Sequence, residues 1–285
     1  MIKYIEKNNN IEVENIKCFN IANTLECGQC FRFRKKEELD YYVIAHERIL
    51  RVKQEKNKLT FFDLNKEEFE DIWVEYFDLN RNYRELLDIY DDNHMKEAKS
   101  LGEGIRILKQ EPFECLLSFI ISQNQRIPRI KIIINNVCRM FGEKIGEIDG
   151  EEIYSFPSPN RLKEAEEIDF IDCKAGFRAK YLKDAIDKIN NKELNLLELT
   201  ELNTEELKLS LESIKGVGNK VSDCVMLFSY ARYEVFPVDV WVKRVMKSLY
   251  DIDEKEIKQF KERYFGDYAG IAQQYLFHYM RTFKG

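Results

Sequence analysis

The stretch LESIKGVGNKVSDCVMLFSYARYEVFPVDV, residues 211–240, decides how this chain is read. Its five residues Ile214-Lys215-Gly216-Val217-Gly218 lie between two helical patterns. Two glycines one residue apart permit a sharp turn and close backbone approach. The helix that follows begins with N–H groups that none of its own carbonyls satisfies, a seat for an anionic oxygen. A helix–hairpin–helix over about 204–231, with Gly216, Val217 and Gly218 facing the DNA backbone, clamps phosphates without reading sequence. A glycine-capped pair of packed helices explains the turn when it is taken alone.

Two polar residues raise the stakes. Lys220 follows Gly218 by two residues, and Asp239 comes 19 residues later. A helix of about 12 residues from Lys220 carries the chain roughly 18 Å away. The seven residues Arg232–Val238, with Val235 and Pro237 favouring extension, span up to about 23 Å back. Asp239 can therefore return to the start of the lysine's helix. A neutral amine there can form a Schiff base with a sugar C1′. A carboxylate beside it can stabilise positive charge on that sugar and handle protons. Each residue also has a plainer reading: Lys220 as a solvated side chain, Asp239 as the cap of the helix Val240–Tyr250.

Bulk properties set the frame. At 285 residues the chain has room for two domains. Hydrophobic content of 44% beside 34% charged residues reads as a soluble globular protein. No apolar run approaches the roughly 20 residues of a membrane helix. The start, MIKYIEKNNN, has no secretory apolar region, so the protein is expected to stay where it is made, in the cytoplasm or nucleoid of a prokaryote. Seven scattered cysteines argue for a reducing compartment. Cys27-Gly-Gln-Cys30 is formally a C-x-x-C, but ordinary packed thiols explain it better. No cysteine follows Cys224, which excludes a C-terminal four-cysteine iron–sulfur cluster. Net charge of −6 argues weakly against nucleic acid, but bases cluster at Arg126, Arg129, Lys131 and Arg139, and at Lys174, Arg178, Lys180 and Lys183. A solvated surface explains either cluster alone; together they suit a phosphate-tracking face.

Along the chain the periodicity changes once. Residues 1–98 read as an antiparallel β-sheet domain, with strands at Phe31–Arg34, Tyr41–Ala45, Arg48–Gln54 and Lys58–Phe62 and a helix at Lys66–Phe77. Residues 99–285 read as helical. Pro112 and Pro128 suit first turns and Gly142 a stop. Further helices are expected at Arg178–Asn190, Thr204–Ile214, Asn219–Tyr230, Val240–Tyr250, Glu254–Tyr264 and Tyr268–Phe283. Asn8–Asn10 is the one low-complexity run.

With these residues in view, IKGVGNKVSDC followed by FPVDV resembles the helix–hairpin–helix DNA glycosylases. More narrowly it resembles their 8-oxoguanine DNA glycosylase/AP lyase branch. ECGQCFRFR at 26–34, FIISQNQRIPRI at 119–130, AGFRAKYL at 175–182 and GIAQQYLF at 270–277 extend the resemblance over nearly the whole chain. It implies an α+β fold: an N-terminal antiparallel sheet domain like half of the TATA-binding-protein fold, then two helical subdomains flanking a cleft. It also implies an enzyme that acts as a monomer on double-stranded DNA containing 8-oxoguanine, with no membrane partner, no cofactor and no metal.

The resemblance implies roles by position. Lys220 is similar to the lysine that displaces the base, and Asp239 to the aspartate that assists it. Gly28 is similar to the glycine whose carbonyl reads the damaged base. Guanine N7 is an acceptor, whereas in 8-oxoguanine N7 carries a hydrogen, so a carbonyl aimed there attracts only the lesion. Phe277, Gln273 and Cys224 match residues that stack on the extruded base or bond its pairing edge. Phe277 and Gln273, four apart, share a helix face. Tyr268, Ile271, Tyr275 and Tyr279 form a separate stripe suited to the core. Asn124, Arg129 and Arg178 match residues that hold the orphaned cytosine, and Phe177 matches a wedge that fills the gap in the duplex. The sequence departs from the family at Gln125-Arg126, at Cys27 and Cys30, and at Trp241, where some relatives carry a phosphate-binding histidine. Two rivals remain: a glycosylase for another damaged purine, and a non-catalytic DNA-binding module.

Overall fold

The computed structural model describes residues 2–284. The chain opens with β1 (Tyr4–Lys7) and β2 (Asn10–Val13), then the short helix α1 (Ile21–Glu26). Four strands follow: β3 (Phe33–Glu37), β4 (Asp40–Ala45), β5 (Arg48–Glu55) and β6 (Lys58–Phe61). All six pair antiparallel in the order β1-β2-β6-β5-β4-β3. The reason is visible in β5, whose residues alternate between a buried and an open face. Two of the sheet's four two-residue hairpins, Asn8-Asn9 and His46-Glu47, hold both residues at positive φ, which matches the strand twist. Asn8–Asn10, read from sequence as a low-complexity run, is thus a structural turn that adds two strands the pattern did not suggest.

The sheet buries Val13, Tyr41, Val43, Val52 and Phe61 against an aromatic helix. That helix is expected as one piece over Lys66–Phe77. It is built as α2 (Lys66–Glu68), a wider π-turn at Phe69–Trp73, and α3 (Val74–Tyr76). Phe69, Trp73 and Phe77 are fully buried, and Phe61 meets Phe69 with ring centroids 5.1 Å apart.

The helical body comprises α4 (Tyr83–Asp88), α5 (Asn93–Leu101), α6 (Pro112–Ser122), α7 (Ile127–Phe141), α8 (Glu167–Asp172), α9 (Ala179–Asn190), α10 (Thr204–Glu212), α11 (Asn219–Tyr230), α12 (Val240–Tyr250), α13 (Ile257–Tyr264) and α14 (Ala269–Lys284). Pro112 and Pro128 sit in first turns, and Gly142 caps α7. One hairpin interrupts the helices: β7 (Lys144–Ile148) and β8 (Glu151–Tyr154), turned at Asp149-Gly150. Its Ile148 and Ile153 pack on Ile44 of the sheet.

Helix α11 lies at the centre. Every residue from Val221 to Tyr230 is buried, including Ser222, Asp223 and Ser229. A helix apolar on nearly all sides belongs inside a core. Its polar residues are satisfied: Lys208 donates to Asp223 at 2.9 Å and the Ser222 hydroxyl to Glu212 at 2.8 Å. Helices α4 and α5 and the connection between them, although they precede or straddle residue 98, contribute Tyr83, Leu87, Tyr90, Met95 and Ala98 to this helical core. The two bodies are stitched together by Arg106, 3% exposed, which donates to the carbonyls of Asp78 and Lys17. Among the described residues, no helix is long and apolar enough to cross a membrane.

Candidate active site

The hairpin joins α10 to α11 as the sequence leads one to expect. Gly216 holds φ +78, and a Cβ there would meet the Tyr181 ring at 2.5 Å. Glycine is required both by conformation and by the close approach. Asp184 accepts from the Lys215 backbone N–H at 2.8 Å and pairs with its ammonium at 3.2 Å. The turn is therefore braced against α9. Gly218 opens α11 with no side-chain cap, so the first N–H groups of the helix are left for a ligand or solvent.

Lys220 lies in the first turn of α11, half-buried. Its Nζ donates to the Ser122 hydroxyl at 3.4 Å and stands 5.0 Å from the centre of the Phe119 ring. Asp239 is the N-cap of α12, its Oδ1 accepting from Val242 N at 2.8 Å. Burial pushes the Cys224 thiol up to about 11, with Lys220 pulling it down and Asp239 pushing it further up. Both charges thus act on one buried, neutral thiol. Lysine and aspartate form no ion pair within 4.0 Å. The amine is held by a hydroxyl and an aromatic face instead.

A second cluster joins the two ends of the chain. Gly28 has φ +90, and a Cβ on it would lie 3.4 Å from the Phe277 ring, 3.4 Å from Ile127 and 2.9 Å from Arg281 Nη1. The backbone beside it is fixed by Gln274, 2% exposed, whose Nε2 donates to the Cys27 carbonyl at 3.0 Å. Gln29, fully buried, donates to the carbonyls of Thr24 and Arg106 and accepts from Leu108 N. Gln273 is 4% exposed and its Oε1 has no partner. Phe277 is half-buried, while Ile271 and Tyr275 of the neighbouring stripe are in the core. Cys27 and Cys30 are buried free thiols that donate to the carbonyls of Thr24 and Leu25; burial pushes the Cys27 thiol up to about 11 and raises that of Cys30 further.

The remaining candidates lie between the end of α6 and the first turn of α7, and just before α9. Asn124 is exposed at φ +50, Arg129 is exposed, and Phe177 is 53% exposed. Arg178 differs: it is 3% exposed, and its guanidinium donates to the carbonyls of Gln123, Asn124 and Ala175 while lying 4.3 Å from the Phe177 ring centre. It holds the loop that carries Asn124. Of the two basic clusters, Arg126, Arg129, Arg139, Lys174 and Lys180 are exposed. Lys131 instead sits 3.5 Å from the Phe33 ring, its pKa lowered by burial, and Lys183 pairs with Asp187 at 2.6 Å. Trp241 is half-buried with the Arg244 guanidinium 5.0 Å from its ring. Sequence reading missed Gln274, Gln29 and Arg281. Gln274, doubled with Gln273 in the 270–277 segment, and Gln29, inside the 26–34 segment, lay within quoted motifs, whereas Arg281 lay outside them.

Comparisons with known proteins follow the same outline. Residues 10–116 match a family described as 8-oxoguanine DNA glycosylase, N-terminal domain. Residues 117–265 match the HhH-GPD superfamily of base excision DNA repair proteins. An N-glycosylase/DNA lyase of Saccharomyces cerevisiae is 32% identical, covering 90% of this chain and 82% of that protein. The structure of Clostridium acetobutylicum 8-oxoguanine glycosylase/lyase with double-stranded DNA containing cytosine opposite 8-oxoG is 46% identical. It covers 99% of this chain and 98% of that one, with a TM-score of 0.92. A 3-methyladenine DNA-glycosylase from Archaeoglobus fulgidus, at 22% identity, 96% and 99% coverage and a TM-score of 0.79, shares the fold.

Proposed function

The chain belongs to the 8-oxoguanine DNA glycosylase family within the helix–hairpin–helix base-excision superfamily, and from that premise we propose that it excises 8-oxoguanine from duplex DNA and then nicks the strand. The observation that carries the choice of base is Gly28, in left-handed backbone conformation and so close to Phe277 that a Cβ on it would lie 3.4 Å from the ring, with the unpaired Gln273 Oε1 on the same face of α14 as Phe277. The slot offers an aromatic face, a backbone carbonyl for N7–H, and a carboxamide for the pairing edge.

The reaction in this reading runs through Lys220. The nitrogen lone pair of its amine attacks C1′, the bond from C1′ to the base breaks, and the departing base takes up the proton that the amine loses. Ring opening gives a Schiff base. Loss of a C2′ proton expels the 3′ phosphate, and hydrolysis of the Schiff base restores the amine. Asp239 stabilises positive charge on the sugar while still capping α12. Cys224, kept neutral by burial, lines the slot without adding a charge.

Cytosine opposite the lesion is the preferred partner in this reading. Arg129 is free to donate to cytosine acceptors, whereas Arg178 acts through the Gln123-Asn124 loop or must release a carbonyl to reach the base. Phe177 fills the space the lesion leaves. The test is borohydride trapping on duplexes with 8-oxoguanine opposite each of the four bases. A covalent adduct is expected, formed fastest opposite cytosine and absent in Lys220→Gln. Active, well-folded protein that gives no adduct rules out the lyase reading; adduct on an alkylated purine alone points to the rival glycosylase.

A further inference from the structure

Three residues on α14 stand four apart on one face: Gln273, Phe277 and Arg281. The first has an unpaired buried acceptor, and the third an unpaired buried donor, Arg281 Nη1. That nitrogen lies 2.9 Å from where a Cβ on Gly28 would be, and the guanidinium stands 5.6 Å from the Phe277 ring centre. The other nitrogen, Nη2, makes one long bond of 3.5 Å to the Glu26 carbonyl. Arg281 forms no ion pair among the described residues, and the Glu26 carboxylate is committed to Tyr41 and Lys35. A buried guanidinium donor without an acceptor is costly. Its persistence beside Gly28 points to a ligand that supplies the acceptor.

We propose that Arg281 reads the C8 oxygen of the lesion. The inference rests on the 8-oxoguanine reading above and deepens it. Oxidation changes two adjacent atoms of guanine: N7 gains a hydrogen and C8 gains a carbonyl oxygen. The Gly28 carbonyl is suited to the first change. Arg281 Nη1, directly beside Gly28, is suited to the second. Gln273 and Arg281 are eight residues apart, about 12 Å along the helix axis. That span matches a purine from its pairing edge to O8 with a hydrogen bond of about 3 Å at each end. The stripe therefore carries acceptor, aromatic face and cationic donor in the order an 8-oxopurine presents donor, ring and oxygen. Undamaged guanine carries only a C–H at C8 and leaves the guanidinium unpaired.

The test compares single-turnover base excision from duplexes bearing 8-oxoguanine or 8-thioguanine, whose sulfur keeps N7–H but accepts poorly. Wild-type protein should favour the oxygen by about 10- to 100-fold, the range for a hydrogen bond to a charged group. Arg281→Leu should lose excision of 8-oxoguanine by a similar factor and discriminate oxygen from sulfur less than threefold. Arg281→Lys, which keeps a donor, should recover part of the preference. Wild-type protein that excises both bases equally overturns the proposal without any variant. So does an Arg281→Leu protein that excises 8-oxoguanine at the wild-type rate or faster, since the guanidinium would then merely cover Phe277. Failure of the wild type to excise 8-oxoguanine at all overturns the functional reading itself.

Discussion

Asp239 holds two jobs that substitution can separate. Its Oδ1 accepts from Val242 N at 2.8 Å and so starts α12, whose Val242, Val245 and Met246 are buried in the helical core. Asparagine caps a helix about as well as aspartate, so Asp239→Asn keeps the bond and loses only the charge–dipole part, about 0.3–1 kcal/mol. Asp239→Ala loses the bond as well, adding about 1 kcal/mol within a range of 0.5–2. Against a typical stability of about 5–15 kcal/mol both variants fold. In the proposed reaction both also lack the carboxylate, and loss of one preorganised electrostatic group costs about 2–4 kcal/mol of transition-state stabilisation, roughly 30- to 1000-fold in rate. Urea midpoints should therefore fall in the order Asp, Asn, Ala. Single-turnover excision of 8-oxoguanine should fall once, equally in Asn and Ala. If Asp239→Asn excises at close to the wild-type rate while Asp239→Ala does not, excision follows the cap, and the carboxylate has no part in the chemistry.

Other perturbations address the scaffold. Gly216→Ala must accept positive φ and displace the Tyr181 ring from 2.5 Å, which should cost about 2–4 kcal/mol in urea unfolding and weaken affinity for undamaged duplex. An unchanged midpoint would mean the hairpin is not braced on α9. Gln274→Ala leaves the buried Cys27 carbonyl without its partner, with an expected loss of about 1–3 kcal/mol and slower lesion excision at unchanged affinity for plain duplex. Equal losses in excision and plain-duplex affinity would remove its role in positioning Gly28. The thiols of Cys27 and Cys224 sit at about 11 in the fold against 9.0 in the reference state. A raised folded pKa means their contribution is intact below pH 9 and is lost as pH climbs through 11, at most about 2–3 kcal/mol each. Urea midpoints should fall between pH 9 and 11, less steeply in Cys27→Ala; a flat profile would show that these thiols ionise freely.

Much of this was legible in the chain because its punctuation is strong. Gly218 and the Pro237–Asp239 turn set α11 and α12 at the same bounds in sequence and structure. Chain length allowed Asp239 to return towards the start of the Lys220 helix, while the roles of the two came only from the resemblance. The misses have physical causes. Strands β1 and β2 are short and flank an asparagine turn whose positive φ values no hydrophobic alternation announces. The β7–β8 hairpin carries an Asp-Gly turn, but four of its nine strand residues are charged and the strands bury little besides Ile148 and Ile153. Gln274 and Arg281 acquire meaning only through contacts with Cys27 and Gly28 near the other end of the chain, 247 residues away for the Gln274 bond. No local pattern encodes such a meeting.

Arg178 fastens the Asn124 loop and the Phe177 ring to one guanidinium. If Phe177 enters the duplex as proposed, the Asn124 loop arrives with it, at an offset set by that guanidinium. The entropy of arranging the two is then lost once, during folding, and not again at each undamaged pair the protein samples. A search over a long genome consists almost entirely of such fruitless visits. On the proposed reading a pre-set probe would shorten each of them, leaving the compliance of the DNA, and not of the protein, to set the pace.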